Sequence, residues 1–321
     1  MVCTIKEVSS ELLPFLQVYK DGSVERFLDS PFVPPCLNDK VTGVSSKDIT
    51  ISPDVTARIY LPQDYNYNKK FPLVVYFHGG GFCIDSAFSF LCHRYLNILV
   101  CRAKVIAISV EYRRAPENPL PIAYEDSWVA LQWIAKQSIE KSEPWFAHYA
   151  NFDRCFLGGD SAGANIAHHL AIRAGREGME GSMKIYGVIM SHPYFLGTEP
   201  IGAESANVDR DRSIFYQTWK FVYPNAEGGF DNPLINPFST EAPSLSRLGC
   251  SRLLVCVSEK DELRERGVKY FDEVKKSGWR GKMELFEVEG EEHCFHIFNL
   301  ESQNAKILIK RFASFLNPNY I

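Results

Sequence analysis

Gly159-x-Ser161-x-Gly163 lies between an apolar run ending at Leu157 and a helical pattern beginning at Ala162. A serine on a tight strand-to-helix turn is forced into a strained backbone conformation. Its neighbours two residues away on either side must then lack side chains, so that strand and helix can approach each other. The hydroxyl is thereby lifted clear of the backbone as a nucleophile, and the N-terminal end of the next helix faces any negative charge that develops. A second glycine cluster, His78-Gly79-Gly80-Gly81, follows the apolar run 73–77. Such a loop lets backbone N–H groups converge on one point, as an oxyanion requires. The expected donors are the amides of Gly80, Gly81 and Ala162. His78 is expected to brace the loop rather than act as a base.

A nucleophilic serine needs a base, and the base needs an acceptor that fixes its tautomer. In chain order these come as serine, then carboxylate, then histidine. Asp261 follows the apolar run 253–257, and His293 follows the alternating run 283–288. We assign the base to His293 and its orienting acid to Asp261, with Glu259 and Glu262 as alternatives. His296 lies three residues further on, where an incipient helix turns it elsewhere. The remaining histidines show no metal-binding spacing. His168 and His169 are adjacent, so a helix splays them roughly 100° apart, and His93, His148 and His192 are isolated. No metal and no cofactor is expected.

These groups need a scaffold that gathers strand ends. Runs at 47–51 and 57–60, joined by Ser52-Pro53-Asp54, read as an antiparallel pair. Continuous apolar runs at 73–77, 105–110, 155–157, 185–190 and 253–257 read as strands buried on both faces, and 283–288 reads as an edge. Helical patterns cover 88–101, 122–136, 162–176, 264–277 and 303–316. This alternation predicts an α/β class: one mostly parallel sheet with helices on both faces and reactive groups at the strands' carboxyl ends. Residues 1–45 and 195–245 break the alternation. They are rich in proline and aromatic residues, and are expected to form a lid on a single domain spanning 1–321.

Composition narrows the function. Of 321 residues, 45% are hydrophobic and 23% charged, the balance of a folded globular chain, and the net charge is −4. Nucleic-acid binders usually carry a basic excess, so that class is disfavoured. No apolar stretch is long enough to span a bilayer, and the first residues lack the apolar core of a secretory signal. Nine scattered cysteines, with no C-x-x-C and no glycosylation sequon, suggest reduced thiols and a cytoplasmic location. The expected partner is a small-molecule substrate, with the chain a monomer or homodimer and neither nucleic acid nor membrane involved.

The segments His78–Phe82, 111–126, 159–165 and His293–His296, with the spacing between them, resemble the plant-type carboxylesterases of the hormone-sensitive-lipase group. The resemblance spans essentially the whole chain. It implies the α/β-hydrolase fold with an eight-stranded sheet, Ser161, His293 and Asp261 as a triad, and a cap built partly from the N-terminal segment. Arg114 departs from the group, where leucine is usual. Segments 219–229, 232–237 and 249–254 look like a branch containing 2-hydroxyisoflavanone dehydratase-like and monoterpene indole alkaloid cyclase-like members. The expected activity is hydrolysis of small acyl esters of hydrophobic plant metabolites. The alternatives are a lyase or cyclase using the same pocket and, in another class, a lidded hormone receptor. The receptor relative has lost the triad histidine, which this chain keeps.

Overall fold

The computed structural model describes residues 6–63, 70–206 and 212–318. Chain order is β1 (Val8–Leu12), β2 (Leu16–Tyr19), β3 (Val24–Arg26), β4 (Ser45–Ser52), β5 (Val55–Leu61), β6 (Phe71–Phe77), α1 (Phe90–Ala103), β7 (Ile106–Glu111), α2 (Ile122–Glu140) and α3 (Pro144–Tyr149). It continues through β8 (Ala150–Asp160), α4 (Ala162–Glu177), β9 (Ile185–Ser191), α5 (Ile214–Val222), β10 (Arg252–Ser258), α6 (Arg264–Lys276), β11 (Lys282–Val288), α7 (Phe295–Phe298) and α8 (Gln303–Leu316).

Eight strands form one sheet in the order β11-β10-β9-β8-β6-β7-β5-β4. From β11 to β7 all pairings are parallel, while β5 runs antiparallel to both β7 and β4. Pro53 and Asp54 make the two-residue loop of the β4–β5 hairpin, opposite the Ser52–Val55 pair. The central strands are buried on both faces, which explains their unbroken apolar runs. On β6, Leu73, Val75 and Phe77 join the core shared with α2, α4 and α6, while Val74 and Tyr76 join the core shared with α1 and α8.

Three helices start at serine caps. Ser89, Ser213 and Ser302 accept from backbone N–H groups at the starts of α1, α5 and α8. Two elements differ from the sequence expectation. Strand β8 is not 155–157 but Ala150–Asp160, since its first residues pair with Phe71 and Pro72 ahead of a register shift. Asn151, Asp153 and Arg154 hide that extension from any apolar pattern. The N-terminal segment also holds its own three-stranded antiparallel sheet, β1-β2-β3. It is pinned beside the glycine loop by Arg26, which donates to the carbonyls of Cys83 and Ala115 and pairs with Glu117. Arg114, the departure noted above, ties the same segment down by donating to Asp29 and to the Asp85 carbonyl.

Candidate active site

Ser161 sits between β8 and α4 with φ +56° and ψ −116°. This strained conformation is held by its N–H on the Ser191 carbonyl at 2.9 Å, and by its own carbonyl accepting from Asn165 and Tyr194. The flanking glycines are obligatory. A Cβ on Gly163 would stand 1.9 Å from the Phe77 carbonyl oxygen, and one on Gly159 2.4 Å from the Gly163 carbonyl carbon.

The glycine loop lies directly against this turn, with the Cβ position of Gly79 3.6 Å from Ser161 Cβ. Gly80 and Gly81 both have positive φ, at +87° and +58°. The Gly80 carbonyl accepts from Cys83 and Ile84, which closes the loop. Among the described residues nothing accepts from the N–H of Gly80 or Gly81, and Ala162 opens α4 with its N–H unclaimed by the helix. His78 is buried, stacks on Tyr112 with ring centroids 4.2 Å apart, and reaches the Gly79 carbonyl through Nδ1 at 2.9 Å. Burial lowers its pKa to about 4. The ring is therefore a neutral strut.

Asp261 and His293 come from the loops after β10 and β11. His293 Nδ1 lies 2.8 Å from Asp261 Oδ2, while Asp261 Oδ1 accepts from Leu263 N–H at 2.9 Å. Burial pushes the Asp261 carboxyl up. The His293 charge and hydrogen bond outweigh that and hold it below its ordinary value. His293 Nε2 is buried without a hydrogen-bond partner. The two alternative acids point elsewhere: Glu259 accepts from Gly290 N–H, and Glu262 is exposed. Phe215 of α5 packs edge-on against His293, centroids 4.9 Å apart.

Behind these groups is a network that spacing did not show. His296 Nε2 lies 2.9 Å from Asp160 Oδ1, and Tyr76 donates its hydroxyl to Asp160 Oδ2. His192, isolated in sequence, stacks on His296 and holds the Ser191 and Ser258 hydroxyls with its two ring nitrogens. Asp160, His192 and His296 thus bring three potential metal-ligand atoms within 4.8 Å of one another. Both nitrogens of His192 lie within hydrogen-bond distance of serine hydroxyls and His296 Nε2 sits against Asp160 Oδ1, so the trio braces the strand ends.

A strained serine after the central strand thus lies against a glycine loop, and a histidine–carboxylate pair sits on the loops after the adjacent strands β10 and β11. The chain belongs to the α/β-hydrolase fold family, whose model matches residues 74–297. Its relatives are those the sequence resemblance indicated. It is 52% identical to 2-hydroxyisoflavanone dehydratase of Glycyrrhiza echinata, covering 98% of this chain and 97% of that one. It is 49% identical to probable carboxylesterase 2 of Arabidopsis thaliana (99% of each) and 47% identical to tabersonine synthase of Catharanthus roseus (97% and 98%). Among solved structures it resembles an esterase of Pyrobaculum calidifontis at a TM-score of 0.68 and 26% identity, covering 84% of each chain. Among the described residues no helix is long and apolar enough to cross a membrane.

Proposed function

We propose that this chain is a serine carboxylesterase acting on small acyl esters of hydrophobic plant metabolites. Ser161 Oγ attacks the ester carbonyl while His293 Nε2 takes its proton. Asp261 keeps the His293 proton on Nδ1 and steadies the imidazolium. The amides of Gly80, Gly81 and Ala162 receive the oxyanion. His293 returns its proton to the departing alcohol, then activates a water that releases the acid from Ser161. The observation that carries this reading is the His293–Asp261 pair with Nε2 left free, on a loop joined through His296 to the residue before Ser161.

In this reading residues 1–45 and 195–245 are the lid, with residues 1–5 and 207–211 lying outside the described residues. The lid's aromatic side chains favour a bulky apolar alcohol part, and the close fit of α5 over Gly81 favours a short acyl part. A cytoplasmic location fits the eight described cysteines, all free. Incubation with a fluorophosphonate should label Ser161, and p-nitrophenyl acetate should turn over. Ser161→Ala should abolish labelling and lower kcat by a factor on the order of 10⁴–10⁶.

Elimination or cyclisation is the second reading, favoured by the identity to the dehydratase. There His293 would take a proton from the carbon beside a carbonyl, and the same amides would hold the enolate-like charge. A lyase would be labelled at Ser161 yet hydrolyse model esters poorly. A receptor would do neither.

A further inference from the structure

Thr218 sits in the middle of α5 with 2% of its surface exposed, and its Oγ1 is buried with no hydrogen-bond partner. A helical threonine commonly satisfies its hydroxyl on the carbonyl three or four residues back. This one does not. An unpaired buried hydroxyl destabilises the fold, and native proteins keep few of them, each calling for a reason. The position suggests that reason. Thr218 Cγ2 lies 2.7 Å, and its Cβ 3.9 Å, from the point where a Cβ on Gly81 would stand. Phe215, three residues earlier and so on the same side of the helix, packs against His293. One face of α5 therefore bridges the base and the oxyanion loop, and the orphan hydroxyl is on that face.

We propose that the Thr218 hydroxyl is a substrate-recognition group that binds an oxygen substituent one or two carbons from the reacting carbonyl. The proposal takes from the esterase reading where that carbonyl sits. A threonine hydroxyl is neutral and can both donate and accept, so the fitting ligand is an oxygenated acyl or keto compound whose extra hydroxyl, ether or carbonyl oxygen is uncharged. Hydrocarbon analogues would leave the hydroxyl unpaired and bind less well, as happens when any site built around a polar group meets a partner without one.

The test compares wild type, Thr218→Val and Thr218→Ser on p-nitrophenyl acetate and p-nitrophenyl methoxyacetate, with each kcat/KM divided by the ester's alkaline hydrolysis rate. Valine keeps the shape without the hydroxyl, and serine keeps the hydroxyl without the methyl. The preference for methoxyacetate should fall roughly five- to tenfold in Thr218→Val and persist in Thr218→Ser. Thr218→Val should also melt above wild type, because it removes the orphan. An unchanged preference in Thr218→Val, or an equal loss in both variants, overturns the proposal. Fluorophosphonate labelling of Ser161 reports on the esterase reading separately. If wild type turns over neither ester, the esterase reading falls and melting decides: a Thr218→Val protein no more stable than wild type overturns the role given to Thr218.

Discussion

His296 lies 2.9 Å from Asp160, the residue immediately before Ser161, and both side chains are buried. Three residues earlier in the same loop, His293 pairs with Asp261 at 2.8 Å. Two histidine–carboxylate links thus fasten one loop to two strand ends, one orienting the proposed base and the other tying its loop to the nucleophile's strand. The Asp160 carboxyl is pushed up by burial but held below its ordinary value by His296 and the hydroxyls around it.

Breaking this link should cost more than an ordinary polar contact. Asp160→Asn or His296→Gln leaves a buried partner uncompensated, a loss of about 3–5 kcal/mol in urea denaturation. In the proposed esterase, kcat should fall with little change in KM, since the base loop loses its anchor while the walls of the pocket stay. The double variant should lose less than the sum of the two singles. Additive losses would mean the two residues act separately.

Stability should decline on mild acidification. Burial lowers His78 to about 4, and burial together with the nearby His296 and His293 charges lowers His192 to about 3. Both protonate near pH 6.5 once the chain unfolds. A depressed folded pKa means the stabilisation is complete above about pH 6.5 and is lost as pH falls towards 4 and then 3. Each histidine should steepen the loss by up to about 1.4 kcal/mol per pH unit in that window. Asp160 and Asp261, also held low, add losses in the same direction below about pH 4. Urea denaturation from pH 7.5 to 4.5 measures the slope, and a flat profile would contradict it.

The carboxylates near His293 should differ sharply in effect. Asp261→Asn should lower p-nitrophenyl acetate turnover by a factor on the order of 10⁴, because the wrong imidazole tautomer is then favoured. Glu259→Gln should stay within about twofold of wild type, since that side chain serves the Gly290 N–H at the surface. Equal losses in the two would reassign the acid.

Glycine variants should separate folding from chemistry. Gly163→Ala drives a Cβ to 1.9 Å from a backbone oxygen, so the protein should fail to fold or melt far below wild type. Gly81→Val meets side chains rather than backbone, Thr218 Cγ2 at 2.7 Å and Cys83 Sγ at 3.9 Å, but its φ of +58° strains a β-branched residue, so the loop must shift locally. The variant should keep native circular dichroism while losing roughly 10²–10³ in kcat as the amide is displaced. Native dichroism with an undiminished rate would remove Gly81 from the oxyanion loop.

Much of the site was legible because its demands are local. The strand, the turn and the helix around Ser161 lie within about a dozen residues, and the need for Gly159 and Gly163 is steric. The strands were legible for the same reason: burial on both faces of β6 writes itself as an unbroken apolar run. The first part of β8 was not, because Asn151 and Asp153 belong to a strand only through pairing with β6, a contact invisible to local pattern.

Ser161 on its turn and the glycine loop ahead of it were read from the sequence through constraints on neighbouring residues, and Asp261 and His293 through chain order and their place after strands. The sequence put Asp261 ahead of Glu259 and Glu262, and tertiary structure showed that it is the one that meets His293. Tertiary structure alone decided that His296 turns to Asp160, and that Thr218 lies against Gly81 and Phe215 against His293 from α5. Those choices depend on how loops from separate strands and a helix from the 195–245 region pack together. Periodicity records which face of an element is buried but not which residue waits on the other side.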